Sequence, residues 1–302
     1  MKRSARSRLI EWILRMSGRK KIYADPAVFA KFLERKRIEN AKPYTVPEDI
    51  RRKHGIEPAP AYGKDCYVLK GDGWPGGKTI LYLLGGGHLN RPISQNWAFL
   101  RKIADFSHAT MIVPIYPKAP VHRYHESYRQ VLDIYEKLIK KTDPKDIVFM
   151  GDSAGGGFAL GFAQWLKEKK LPQPGRIILI SPWLDLTLTN PDIPAVERKD
   201  PILGSHGLAI AGRLYAGDTD PRHYQLSPIN GDLQGLGEIS VFIGTHDLML
   251  ADCRKFRDRA AAEGVKINYF EYPGMNHVFP AMPIPEARRA IGQIVDLIRG
   301  AG

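Results

Sequence analysis

Cysteine is scarce in this chain: Cys66 and Cys253 are the only two in 302 residues. Two thiols make no disulfide framework and read as reduced side chains of an intracellular protein, so a cytoplasmic location is the expectation. Long hydrophobic runs are missing as well, and no apolar stretch approaches the roughly 20 residues needed to span a bilayer. The basic start does not read as a secretory signal, because Leu9 to Leu14 is interrupted by Glu11 and no small-residue cleavage site follows. Internal repeats and low-complexity tracts are lacking, which excludes solenoids and disordered arrays. Metal-ligand spacing is equally poor. His122, His125 and Glu126 lie close together, but no further outlying ligand is indicated, so no metal is expected.

Acidic residues are outnumbered, 32 against 45 basic ones, for a formal net charge of +13. Most of the excess sits in residues 1–60, with 16 Lys/Arg against 7 Asp/Glu. Such an asymmetry attracts phosphates or an anionic membrane surface. No zinc-finger spacing and no aromatic-basic sheet signature accompany it, so nucleic acid is not an expected partner. Ser7 to Met16 can form an amphipathic helix carrying Leu9, Ile10, Trp12, Ile13 and Met16. That stripe is expected to pack as core or as a cap on the protein's own body, in preference to lying on a membrane.

Residues 1–60 read as helices without strands. Asp25-Pro26 is a helix start, with Asp as cap and Pro at the first helical position, leading into Val28, Phe29, Phe32 and Leu33. From about residue 62 strands and helices alternate. Strands are expected at 65–70, 78–84, 110–116, 146–150, 176–181, 239–244 and 267–272, with helices at 92–104, 122–141, 251–263 and 286–299. Alternation of this kind predicts an α/β fold with a mostly parallel sheet covered on both faces. Residues 1–60 and an excursion at about 182–229 supply the pocket walls; residues 61–302 make the body.

Val148-Phe149-Met150-Gly151-Asp152-Ser153-Ala154-Gly155-Gly156-Gly157 says most about the chemistry. A short apolar strand runs into Gly-x-Ser-x-Gly and then into the small-residue start of a helix. This is the nucleophile elbow of α/β-hydrolases, a sharp turn that exposes a serine hydroxyl. Serine alone is a poor nucleophile and needs a base and an orienting acid. Asp247 follows the strand ending at about Gly244, and His277 follows the last strand, in the order Ser, Asp, His. His246 precedes the acid, and Asp252 reads as a helix-start residue, so neither is preferred. Gly71-x-Gly73-x-x-Gly76 and Gly77-Lys78-Thr79 mimic nucleotide-binding loops. The first precedes a strand where a helix is required, and the second has Asp72 where glycine is needed, so both read as turn residues of a hairpin.

Leu84-Gly85-Gly86-Gly87 follows a strand upstream of the elbow, where an oxyanion loop belongs. Together with Ser181-Pro182-Trp183, Ser227-Pro228, Gly244-Thr245-His246-Asp247 and Gly274-Met275-Asn276-His277, these motifs resemble the hormone-sensitive-lipase branch of α/β-hydrolase carboxylesterases over about residues 62–300. The resemblance implies an eight-stranded sheet, a helical cap from the N-terminus and an inserted segment, and cofactor-free hydrolysis of short-chain esters by Ser153, Asp247 and His277. By motif position, the oxyanion donors are the N–H groups of Gly86, Gly87 and Ala154. The family has His where this chain has Leu84, which leaves the glycine loop without an imidazole to pin it. A small-molecule ester is the implied partner, and a homodimer is compatible. The same residues would serve a deacylase of sugars, amides or peptides, and the fold also hosts non-catalytic binders such as plant gibberellin receptors.

Overall fold

Short runs of β-branched and large apolar residues, bounded by turn formers, become strands. The structure is a computed structural model describing residues 3–71 and 77–300. Among the described residues the strands are β1 (Glu57–Pro58), β2 (Cys66–Lys70), β3 (Thr79–Leu83), β4 (Thr110–Pro114), β5 (Ile147–Asp152), β6 (Arg176–Ile180), β7 (Glu238–His246) and β8 (Ile267–Asn276). They form one sheet in the order β1-β2-β4-β3-β5-β6-β7-β8. The β1–β2 and β2–β4 pairs are antiparallel, and the rest are parallel. The helices are α1 (Ala5–Met16), α2 (Arg19–Ala24), α3 (Pro26–Asn40), α4 (Glu48–His54), α5 (Ser94–Ser107), α6 (Tyr124–Leu138), α7 (Ala154–Glu168), α8 (Ile193–Glu197), α9 (Ser205–Ala216), α10 (Leu250–Ala262) and α11 (Pro285–Arg299).

Because strand side chains alternate, each central strand feeds two cores. Leu81, Phe149, Leu179 and Val241 pack with α6, α7 and α10, whereas Ile80, Val148, Ile178 and Phe242 pack with α5 and α11. Asp25 caps α3 as its sequence requires, Oδ1 accepting from the N–H groups of Ala27 and Val28 at 2.9 and 3.1 Å. Phe29 and Phe32 of α3 join the same core as Leu81 and Phe149.

Three expectations need correction. Residues 1–60 are not free of strand, since β1 pairs with β2. The segment 71–77 does not close a hairpin: β4 lies between β2 and β3 and bonds to both. Met111, Ile112 and Val113 are buried, and a strand buried on both faces takes a central slot with partners on both sides. Residues 72–76, which hold Asp72, Gly73 and Gly76 of the nucleotide-loop mimics, lie outside the described residues. The third correction concerns α1, whose apolar stripe does not pack. Leu9, Trp12, Ile13 and Met16 are exposed, only Ile10 meets the core, and the buried side chains are Ser7 and Glu11. Glu11 pairs with His246, and Ser4 bonds Glu286, so the polar face has the better partners on the body, while Arg3 and Arg15 flank Glu11 from its own segment.

Candidate active site

β5 ends at Asp152 and α7 begins at Ala154, which leaves Ser153 alone to turn the chain. It does so at φ 54° and ψ −125°, a conformation rarely adopted by a residue with a side chain and held only by firm surroundings. Those are supplied by the backbone: Ser153 N–H donates to the Ile180 carbonyl, and its own carbonyl accepts from Gly156, Gly157 and Trp183. The elbow also needs α7 pressed against β3. A Cβ on Gly155 would lie 2.0 Å from the Leu83 carbonyl oxygen, so only glycine permits that approach.

β7 and β8 run further than their apolar cores suggest, to His246 and Asn276, and deliver Asp247 and His277 directly at their carboxyl ends. The structure brings the three predicted side chains together. His277 Nε2 lies 2.9 Å from Ser153 Oγ, and His277 Nδ1 lies 2.9 Å from Asp247 Oδ1. Asp247 is fully buried, and its Oδ1 also accepts the Met249 N–H at 3.0 Å. Burial opposes the imidazolium of His277, but the carboxylates of Asp247, Asp200 and Asp152 outweigh it and hold the ring above the ordinary histidine range. The two alternatives are engaged elsewhere. His246 Nδ1 pairs with Glu11 Oε2 at 3.0 Å, and Asp252 accepts from Asn190 at 2.9 Å.

Sequence reasoning misses Asp200. This fully buried carboxylate accepts the N–H groups of Ile202, Leu203 and Leu248, the last one residue beyond Asp247. Burial and the neighbouring Asp247 push it up to about 6. It is a lone Asp before Pro201 in a loop-rich stretch, and no motif in the sequence marks it.

The loop after β3 is pinned without the missing imidazole. Asp152 Oδ1 accepts the Gly85 N–H at 3.0 Å and the Tyr82 hydroxyl at 2.8 Å, while the Tyr116 hydroxyl donates to the Leu84 carbonyl. Leu84 itself is buried in the core on the α5 side. The Gly86 carbonyl accepts from the N–H groups of Leu89 and Asn90 and from the Asn90 side chain. Gly86 and Gly87 stand at φ 109° and 60°, and among the described residues no hydrogen bond uses their N–H groups or that of Ala154. His88 does not pin the loop with its ring, which stacks on Tyr215 at 3.8 Å between centroids. Lys118 completes this buried layer, its Nζ 3.5 Å from the Tyr116 ring centroid, and burial pushes its ammonium down to about 7. His122 pairs with Glu126 at 2.8 Å, and no group of three metal-ligating side chains occurs among the described residues.

Known proteins share this architecture. A family model described as an alpha/beta hydrolase fold matches residues 80–281. The chain is 31% identical over 223 residues to an esterase of Acinetobacter venetianus, covering 72% of this chain and 74% of that one. It is 29% identical over 220 residues to an acetyl-hydrolase of Streptomyces hygroscopicus, covering 71% and 73%. The crystal structure of a hormone-sensitive lipase from a metagenome library is similar with a TM-score of 0.77 and 27% identity, over 90% of this chain and 97% of that one. With the elbow, the strand-end loops and the eight-stranded sheet in place, the chain belongs to the α/β-hydrolase family, in its hormone-sensitive-lipase-like branch of carboxylic ester hydrolases.

Proposed function

We propose that the chain is a serine carboxylesterase for short-chain acyl esters, working through Ser153, His277 and Asp247 and an acyl-enzyme intermediate. The observation that carries this reading is His277 bridging Ser153 Oγ and Asp247 Oδ1 at 2.9 Å on each side. Ser153 Oγ attacks the ester carbonyl carbon while its proton passes to His277 Nε2. Asp247 fixes the tautomer and stabilises the imidazolium. The carbonyl oxygen becomes an oxyanion facing the Gly86, Gly87 and Ala154 N–H groups, with Ala154 at the positive end of α7. Collapse expels the alcohol, which takes the proton from His277, and water then repeats the sequence on the acyl-enzyme.

A short acyl group is favoured by enclosure. Ser153 and His277 are each 8% exposed. On the oxyanion side a Cβ at Gly87 would meet Leu208 at 3.6 Å and the Tyr23 hydroxyl at 3.8 Å, so α9 and α2 stand close over the loop. The relative from Streptomyces hygroscopicus, an acetyl-hydrolase, supports the same size class. A fluorophosphonate probe should label Ser153, and Ser153→Ala should lower kcat on acetate esters by about four to six orders of magnitude with the fold retained. Wild-type turnover in the Ala variant would refute the assignment, and faster turnover of long-chain than of acetate or butyrate esters would refute the size class.

A further inference from the structure

Helix α1 lies on the body with its polar side down. The Ser4 N–H and hydroxyl meet the Glu286 carboxylate at 2.6 and 2.9 Å. Glu11 is clamped by Arg3, Arg15 and His246, and Arg15 reaches on to the Lys199 carbonyl at 2.6 Å. At 3.6 residues per turn, Leu9, Trp12, Ile13 and Met16 fall on the opposite side. They are 55%, 60%, 51% and 70% exposed. The helix is therefore held so that its large apolar side chains face outward.

Charge says what would cover them. On the helical wheel Arg6 borders the stripe on one side and Arg8 on the other, and Arg19 and Lys21 of α2 follow; all four are exposed. None of these four makes an ion pair among the described residues. Between residues 3 and 24 the single carboxylate is Glu11, which is buried among cations. The outer surface of α1 and α2 thus carries an apolar stripe with only positive charge around it. A second copy docked face to face would set these cations against their own equivalents with no carboxylate to pair. A layer of phosphate over hydrocarbon matches both features, with Trp suited to the boundary and the arginine stems reaching up to the headgroups.

We propose that α1 is a docking element for an anionic lipid surface. α1 is tied to His246, the residue next to Asp247, and Tyr23 of α2 accepts from Asn90 at 2.9 Å beside the glycine loop. Docking would therefore bring the cap side of the site to the bilayer. That consequence rests on the ester-hydrolase reading, whereas the docking itself does not.

Flotation of the full chain with vesicles of equal parts phosphatidylglycerol and phosphatidylcholine, or of phosphatidylcholine alone, tests the proposal. The chain should float with the anionic vesicles, and high salt should weaken binding several-fold. Replacing Leu9, Trp12, Ile13 and Met16 together by Ser should reduce binding by about tenfold or more, with turnover of a soluble acetate ester unchanged. The pair Arg6→Glu and Arg8→Glu, which leaves the apolar stripe intact, should weaken binding as well. No binding to anionic vesicles, or binding that survives both variants, overturns the proposal. A wild-type dimer that the Ser variant makes monomeric, without vesicle binding, would instead make this face a self-association surface.

Discussion

Helices α1 and α11 touch through Ser4 and Glu286, and each carries one apolar and one polar side, yet they present opposite faces to the protein. α11 buries Ala290, Ile291, Ile294 and Ile298, as an amphipathic helix on a sheet is expected to do. α1 buries Ser7 and Glu11 and leaves its large apolar residues in solvent. The periodicity says only that a helix has two sides. Which side turns inward depends on what the body offers, an apolar sheet face under α11 and a carboxylate and a histidine under α1.

The comparison breaks first at α11. Ile294→Ala empties a fully buried position and should cost about 2–5 kcal/mol in urea unfolding. A cost under about 1 kcal/mol would mean that α11 is held by its polar side too. The matching change under α1 is Glu11→Gln, which strands Arg3, Arg15 and His246 and should cost about 1–2 kcal/mol, with faster proteolysis of residues 3–24. Burial works against the Glu11 carboxylate, but Arg15, His246 and Arg3 prevail and hold it below its ordinary range. A depressed carboxylate contributes stability above its unfolded value of about 4.3, lost as pH falls through the folded value. Proteolysis of α1 should thus accelerate in acid in the wild type and not in Glu11→Gln. Equal acid sensitivity in both would remove Glu11 as the anchor.

A buried carboxylate held by backbone N–H groups sharpens the contrast. Asp200 sits near Asp247 and adds negative charge beside His277. On the proposed mechanism the neutral form of His277 does the work, so kcat/KM should rise with pH through a value above about 6.5. Asp200→Asn removes one charge favouring the imidazolium, so this acid limb should move to lower pH. An upward or absent shift would rule out the electrostatic link. The smallest effect is expected at the exposed stripe, where Trp12→Ser should change stability by no more than about 0.5 kcal/mol. A loss above about 1 kcal/mol would show that α1 packs by its apolar side in solution.

The meeting of Ser153, Asp247 and His277 is legible in the sequence because an elbow needs its glycines and each of the two later side chains follows a strand end. The alternating strands and helices are legible for the same local reason. The orientation of α1 is not, since its partners Glu286 and His246 lie 282 and 235 residues along the chain from Ser4 and Glu11. Pairing of β2 with β4 is hidden too, because adjacency follows from which strand must be covered on both faces. Asp200 carries no pattern at all. Leu84 reads as a loss until Asp152 and Tyr116 are seen to hold the loop from below.

The close approach at Gly155 bears on how chains of this kind diverge. Its hydrogen is all that fits against the Leu83 carbonyl, so any side chain there would lever α7 away from the sheet and carry the elbow with it. The demand is steric and would persist if the hydrolytic chemistry were lost. A descendant that gave up Ser153 or His277 for a role in binding would keep Gly155 unchanged. In such lineages the glycines record ancestry of shape, and on the proposed mechanism the serine, histidine and aspartate record whether the enzyme is still working.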